Sequence, residues 1–402
     1  MGRHHIYGMA ELRRTALERV ELVAVADRDR ARADSLADEA HDVLGRRPRV
    51  FPDLSSLAAS GLVDAVSITA QTDIHADLCC GALEAGLHVL VEKPLAVTIE
   101  ECLRVQRTLR RSGCCLAVAE NIRREAGNRL ARAVISAGML GEIRLVIDQT
   151  CSGSDAILLT PWCHTRAAGG VLLDVIVHHA DLIEYLAGPV ERVAGRIRLA
   201  ESRRYARDSP GPVPSAEYYR KWQADLPAAI DADAEDEAVA VLQFRSGALG
   251  SLMMSQAAHG RASRARWLYG SKGSMYMPPD RSGRSPVVTL SAGSSLEGAT
   301  LVDTVPAYRL DDISASVYGE PRPVPRGMPF TAVDRKLVAI ELGDFIEAVR
   351  SGRAPEMGAE QGTRNVALVW AVCEASVAGE WVDVAQVERG DRTAYQATLH
   401  RR

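Results

Sequence analysis

The stretch Val89-Leu-Val-Glu-Lys-Pro-Leu95 decides the fold. An apolar strand, His88 to Val91, ends at the charged pair Glu92-Lys93, and Pro94 forbids further ladder pairing. A cation at the carboxyl end of such a strand faces the crevice where open α/β sheets bind ligands. Much further along stands Asp174-Val-Ile-Val-His178, with Asp181 three residues later. In a helix, positions 174, 178 and 181 share one face. A lysine, a histidine and an aspartate from two distant segments can therefore build one proton-handling site.

Working outward from residues 89–95, the first third alternates strands with helices. Residues 20–26 read as a strand ending at Asp27, 28–40 as a helix, 64–69 as a strand, and 73–85 as a helix. After strand 88–91 come helix 98–112 and strand 114–119. Short strands separated by helices of this length are parallel βαβ units with helices on both faces of the sheet. A helix over 6–18 precedes the strand at 20–26, so a first strand and its turn should come before Ile6. Only Met1-Gly2-Arg3-His4-His5 is there. In strand order 3-2-1-4-5-6 that first strand is central, so an amino terminus short by about ten residues is the expected explanation. The alternative is a degraded relative that binds no dinucleotide.

Beyond about residue 120 the pattern changes. Helix 125–138, strand 142–150 and a helix opened by Gly169-Gly170 are followed by longer strands at 190–200, 238–244 and 250–256. A strand pair is expected at 267–269 and 273–277. Residues 203–235 read as an excursion from the sheet, and 278–330 as loops with short strands. Helices over 332–350 and 359–378 close the chain. The expected architecture is α/β: a dinucleotide-binding Rossmann domain over 1–120 with an incomplete first strand, then an α+β domain over 121–402. That second domain carries a large, open, mostly antiparallel sheet.

The whole composition sets limits. Of 402 residues, 25% are charged and 47% hydrophobic, with a net charge of -4. That balance gives no electrostatic reason to expect a nucleic acid partner. No apolar run is long enough to span a bilayer. Eight cysteines include the adjacent pairs Cys79-Cys80 and Cys114-Cys115, a poor disulfide framework that points to a reducing cytoplasm.

Asp27 is the cofactor residue that stands out. An acidic side chain ending the second strand of a Rossmann unit accepts hydrogen bonds from adenosine ribose hydroxyls and repels a 2′-phosphate, which favours NAD. Arg28 keeps NADP possible, since a guanidinium can hold that phosphate. A helix-capping turn at Asp27-Arg28-Asp29 is the plainer reading.

Together these segments resemble the Gfo/Idh/MocA family, the glucose–fructose oxidoreductase and inositol dehydrogenase group. The resemblance rests on Glu92-Lys93-Pro94, the Thr69-Ala70-Gln71 to His75 loop, and Glu120-Asn121-x-Arg123. It also rests on Gly169-Gly170 before Asp174, His178 and Asp181, and on Glu341 to Phe345 with the closing helices. It implies that Lys93 contacts nicotinamide and the reacting hydroxyl. His178 would be the acid/base, with Asp174 its neighbour in substrate binding. Gly2 matches the middle glycine of the fingerprint. The implied cofactor site adds Thr69, Gln71, His75, Glu92 and Asn121 to Gly2, Asp27, Arg28 and Lys93, and Arg123 joins the substrate side. The family usually carries glycine where this chain has His5, Val171 and Ile176, and often histidine where it has Gly8.

The chemistry expected is hydride transfer between NAD(P) and a secondary hydroxyl of a sugar, an inositol or a sugar derivative. His178 can take the alcohol proton near neutral pH. Lys93 can stabilise charge on the substrate oxygen. Trp162 offers an apolar face for a sugar ring, and Arg166 can hold a hydroxyl, carboxylate or phosphate. Solvated, purely structural roles for His178 and Lys93 are the plainer alternative, and His179 is expected to be structural. Two other functions share these motifs: glycoside cleavage by transient oxidation, and a non-catalytic sensor. A metal centre from Cys151, Cys163, His164, Asp174 and His178 matches no standard spacing, and no metal is expected.

Strands 238–244 and 250–256 carry apolar residues at both parities, including Leu252, Met253 and Met254. A sheet facing water on one side alternates cleanly. The second face is thus expected to be buried, against another subunit of a homodimer or homotetramer, so that charges at Leu252 and Met254 would dissociate it. The alternative cover is residues 278–330 of the same chain.

Overall fold

The computed structural model describes residues 1–15, 17, 20–206 and 226–399. Of the aromatic and basic residues in the 203–235 excursion, Tyr205 is among these. Arg207, Tyr218, Tyr219 and Arg220 lie outside the described residues.

Strand His88–Glu92 is the centre of a three-stranded parallel ladder, between Ala65–Ile68 and Leu116–Ala119. Val89, Leu90 and Val91 are fully buried between helices on both faces. Helix Ile99–Ser112 begins at a full capping box, Thr98 with Glu101, and stops at left-handed Gly113. Trp370, wholly buried on helix Ala359–Ala378, donates its indole N–H to the Val97 carbonyl at 2.8 Å. That bond ties the late helix to the segment just past Lys93.

The amino-terminal edge differs from the expectation. The first helix spans Gly2–Leu12, not 6–18. Of residues 20–26, only Ala24–Ala26 form ladder pairs, parallel to Arg49–Phe51. This two-stranded piece is separate from the three-stranded ladder. Among the described residues no strand joins the two pieces, and beyond the ladder the pairing continues by one bond, the Val23 carbonyl accepting from the Arg49 N–H at 2.9 Å. The first helix is held instead by Phe330–Ser351. Ile6, Met9 and Leu12 share a core with Val338, Leu342 and Phe345, and with Leu90 and Ala119 from the ladder.

The second half builds a nine-stranded sheet. Its order is 295–296, 287–290, 273–277, 263–270, 143–151, 249–255, 237–244, 190–198 and 382–383. Every neighbouring pair is antiparallel except 143–151 with 249–255. Residues 278–330 extend this sheet by two strands and add the helices Gly298–Thr304 and Asp312–Tyr318. Helices Gly170–Ala187 and Ala359–Ala378 supply buried residues to the core on one face.

Parity along the central strands corrects one expectation. Leu252 and Met254 are only 2% exposed and belong to the core, while Val239 (54%), Val241 (46%) and Leu249 (51%) point outward. The pleat sends alternate residues to opposite faces. Ala238, Ala240, Leu242 and Phe244 share the inner face with Leu252 and Met254. Charges at Leu252 and Met254 would therefore unfold the core and would not probe an assembly face. All eight cysteines are free thiols. Among the described residues no helix is long and apolar enough to cross a membrane.

Candidate active site

The site forms where the ladder ends. Lys93 leaves strand His88–Glu92 at its carboxyl end, and helix Gly170–Ala187 arrives above it. Two glycines make that approach possible. Gly169 and Gly170 have φ of 88° and 65°, and a Cβ on either would lie 2.5 Å from Leu173 or 2.6 Å from Ala234. The helix then presents Asp174 and His178 one turn apart.

Lys93 Nζ donates to Asp174 Oδ1 at 2.6 Å and to the Asp174 carbonyl at 2.9 Å. An ammonium has three donors, so one remains. Burial alone would depress the Lys93 pKa, but Asp174, Glu92 and Glu120 outweigh it and hold it above the ordinary lysine value. Lys93 is thus a cation at any working pH. His178 Nδ1 lies 2.7 Å from Glu120 Oε2. Burial pushes the His178 pKa well below that of a free imidazole, with Lys93 and Arg281 adding to the effect. Neutral His178 is the ground state near pH 7.

One continuous cleft of about 2470 Å³ joins this pair to the other end of the first half. Its lining includes Gly2, Asp27, Arg28, Thr69, Gln71, His75, Glu92 and Lys93, then Trp162, Asp174 and His178. Asn121, Arg123 and Arg166 do not line it. Arg123 makes a two-pronged pair with buried Asp181, its Nε donating at 2.8 Å. Asp181 thus anchors an arginine and does not join Asp174 and His178 in the cleft. Arg166 pairs with Glu235, which also accepts from the Tyr395 hydroxyl. Asn121 accepts from Arg281 at 3.0 Å.

His75 lies inside the wall, its ring nitrogens 2.8 Å from the Pro94 carbonyl and 3.2 Å from the Ala70 carbonyl. Burial lowers its pKa, and a neutral ring carries a single N–H, so it donates to one of these carbonyls and only packs against the other. Glu92 pairs with His5 at 2.9 Å, and His5 in turn meets Ser67 at 2.8 Å. Burial opposes ionisation of Glu92, yet His5 and the amino terminus hold its pKa at about 2.

A dinucleotide fits the cleft at both ends. Asp27 Oδ1 accepts from the Asp29 N–H at 2.8 Å, leaving the second oxygen of this exposed carboxylate for a ribose hydroxyl. The start of helix Gly2–Leu12 lines the middle without a side-chain cap, and its first N–H groups suit a pyrophosphate. A Cβ on Gly2 would approach Leu36 to 3.3 Å and Thr69 to 3.4 Å, so a bare backbone suits that position. The cleft also runs between the facing edges 24–26 and 65–68, where the first strand of the Rossmann order would lie.

Two groups of residues escaped the sequence reading. Glu120 was quoted there without a role. His179, expected to be structural, borders the cleft within a buried network of residues that had no role assigned. Its Nδ1 lies 2.8 Å from Asp148 Oδ1, while Arg266 donates to Asp148 at 2.7 Å and to Asp280 at 2.8 Å. Asp148 and Arg266 face each other across the ladder, a register that no local pattern reveals. Among the described residues no three His, Cys, Asp or Glu side chains are grouped to hold a metal. Asp174 and His178 are engaged as above, His164 Nε2 accepts from the Leu158 N–H at 2.8 Å, and Cys163 meets Thr160.

Comparison with known proteins bears on the family and the fold. Residues 1–120 match the oxidoreductase family with an NAD-binding Rossmann fold, and residues 128–276 match the GFO/IDH/MocA C-terminal domain. Levoglucosan dehydrogenase of Pseudarthrobacter phenanthrenivorans is 26% identical over 335 residues, 81% of each chain. The scyllo-inositol 2-dehydrogenase (NAD(+)) of Bacillus subtilis is 26% identical over 348 residues, 85% of this chain and 82% of that one. A solved levoglucosan dehydrogenase, in complex with NADH and levoglucosan, has the same fold. Its TM-score is 0.75 at 22% identity, covering 96% of this chain and 97% of that one. With the Rossmann half and the second domain both matched in order, the chain belongs to the GFO/IDH/MocA family of oxidoreductases.

Proposed function

We propose that this protein is an NAD-dependent dehydrogenase acting on a secondary hydroxyl of a cyclic polyol, a sugar or a sugar derivative. The observation that carries the reading is the meeting of a permanent cation, Lys93, with a neutral imidazole, His178, in a cleft whose far end presents Asp27. NAD held in this cleft supplies the hydride acceptor. Lys93 turns its remaining N–H to the reacting oxygen and stabilises the charge that builds there. His178 takes the hydroxyl proton. Asp174, fixed by Lys93, binds a neighbouring hydroxyl and keeps the ring in register. Trp162 lines the same cleft and suits the apolar face of the ring. Ketone reduction is the reverse, with His178 returning the proton. The names of the relatives, levoglucosan dehydrogenase and scyllo-inositol 2-dehydrogenase, favour the same substrate class.

Scanning cyclic polyols and anhydrosugars for NADH absorbance is the direct measurement. Turnover of at least one is expected. No turnover, with NAD bound no better than about millimolar, a free energy of only about 4 kcal/mol, would sink the reading. Asp27 gives a second check. Asp27→Ala removes the acceptor for the ribose hydroxyls and the charge that repels a 2′-phosphate. NAD affinity should drop by about tenfold or more, as for a lost charged hydrogen bond, and the preference over NADP should shrink. Equal discrimination before and after would release Asp27 from this role.

The same proposal includes a homodimer or homotetramer through the outer face of the nine-stranded sheet. Val239, Val241 and Leu249 are exposed on that face, and no helix among the described residues covers them. A second copy presenting the same residues gives a two-fold, self-complementary contact. The double substitution Val239→Lys with Val241→Lys should convert an oligomer to monomer without loss of fold, since both side chains point away from the core. Light scattering decides: a wild-type mass of 43.4 kDa independent of concentration would rule the assembly out.

A further inference from the structure

We infer that Glu120 is a positioning residue for His178. It holds the imidazole with its proton on Nδ1, so that Nε2 faces the cleft as a proton acceptor. This deepens the dehydrogenase reading and rests on its assignment of His178. The geometry is specific. Glu120 follows strand Leu116–Ala119, and its side chain has no solvent exposure. Its Oε2 lies 2.7 Å from His178 Nδ1, and its Oε1 accepts from the Ile122 N–H at 3.2 Å. Both oxygens are therefore engaged, and the carboxylate cannot rotate away without breaking the turn that starts the second domain. Among the described residues no hydrogen-bond partner is found for His178 Nε2, and His178 lines the cleft.

Each charged group around the pair fits this arrangement. Lys93 comes from the strand end, Arg281 from the loop joining strands 273–277 and 287–290, and Arg123 from the turn at 122–124; all three face Glu120 and favour its carboxylate form. Burial works against that form and raises the Glu120 pKa. Asp174 and His179, from the same helix as His178, and Lys93 and Arg281 face the imidazole. Lys93 is held by Asp174, Arg281 by Asp334 and Asn121, and Arg123 by Asp181. Glu120 is the carboxylate in contact with the ring. A neutral imidazole carries one N–H, and a carboxylate on Nδ1 selects which nitrogen carries it. When the alcohol proton passes to Nε2, the proton on Nδ1 stays there. Glu120 remains ionised and stabilises the imidazolium, as a buried acid does in other acid–histidine pairs. The Ile122 bond alone would make Glu120 a structural brace, so the test must read the imidazole itself.

Nitrogen-15 NMR of the His178 ring in the wild-type chain needs neither substrate nor variant. The Nδ1–H tautomer is expected, and a dominant Nε2–H tautomer overturns the proposal even if dehydrogenase activity is found. The isosteric Glu120→Gln removes the charge and keeps the shape. In that variant kcat should fall by about 10²-fold or more, the scale seen when an acid–histidine pair loses its acid. KM for the alcohol and for NAD should change little. Without the carboxylate the imidazolium is less stable, so the acidic limb of kcat/KM should move to lower pH. Glu120→Asp should restore part of kcat and return the limb toward its original position. A Glu120→Gln enzyme with unchanged kcat and an unmoved limb would make Glu120 a brace only. If no alcohol turns over, the dehydrogenase reading fails, and the tautomer measurement still decides the pairing.

Discussion

Replacing His178 with alanine should lower the chemical step of alcohol oxidation by about 10²–10⁴-fold, the range for a lost acid–base group. NAD affinity should hardly change. The side chain reaches the cleft from the second domain and pairs only with Glu120, while the adenosine end is bordered by Asp27 and Arg28. The pH dependence sharpens the test. Burial, Lys93 and Arg281 all disfavour the imidazolium in the free protein. A base with a lowered pKa is ready to accept a proton over a wider range. The acidic limb of kcat/KM for oxidation should therefore lie below pH 6.5, the ordinary imidazole value, and should vanish in His178→Ala. Single-turnover absorbance separates this step from product release. A variant with unchanged turnover ends the acid–base assignment.

Much of this site was legible because its signals are local. An apolar run stopped by a proline announces a buried strand with a charged residue at its end, and Val89 to Pro94 obey that rule. A spacing of four in a helix opened by two glycines places Asp174 and His178 on one face, as found. What the sequence hid depends on partners far along the chain. Arg123 was placed on the substrate side by the family resemblance, and Arg166 because a guanidinium just before the glycines can hold a hydroxyl, carboxylate or phosphate. Each instead compensates a buried carboxylate, Asp181 or Glu235, since a buried acid without a partner is costly. Glu120 reads as an ordinary loop acid until the helix carrying His178 comes to rest against it. The sheet showed the same limit. Apolar residues at both parities suggested a covered outer face, but parity cannot say which set faces the helices. Leu252 and Met254 went inward, and Val239 and Val241 outward. The shortened strand at 24–26 is a question of partners too. Residues 20–23 have the composition of a strand, but this strand is paired on one edge alone, with Arg49–Phe51, and among the described residues no strand lies along the other.

Lys93→Ala should damage turnover and binding together, because the lysine acts on both the substrate and the site. Its ammonium spends two donors on Asp174 and keeps one for the reacting oxygen. Losing that donor removes stabilisation present mainly in the transition state, worth about 10²–10³-fold in kcat by comparison with other charge-stabilising donors. Losing the pair also leaves Asp174 as a largely buried carboxylate without its cation. The aspartate would then lose its anchor, turn away and stop accepting from a substrate hydroxyl. KM for the alcohol should rise along with the fall in kcat, in contrast to His178→Ala, whose loss should fall on kcat alone. Lys93→Arg should not restore activity. A planar guanidinium fills a carboxylate fork and cannot aim one compact N–H at a third atom as an ammonium does. Steady-state kinetics on the three variants, with thermal melting to confirm folding, check the set. Full activity in Lys93→Arg would show that charge alone suffices, and an unaltered KM in Lys93→Ala would separate Asp174 from substrate binding.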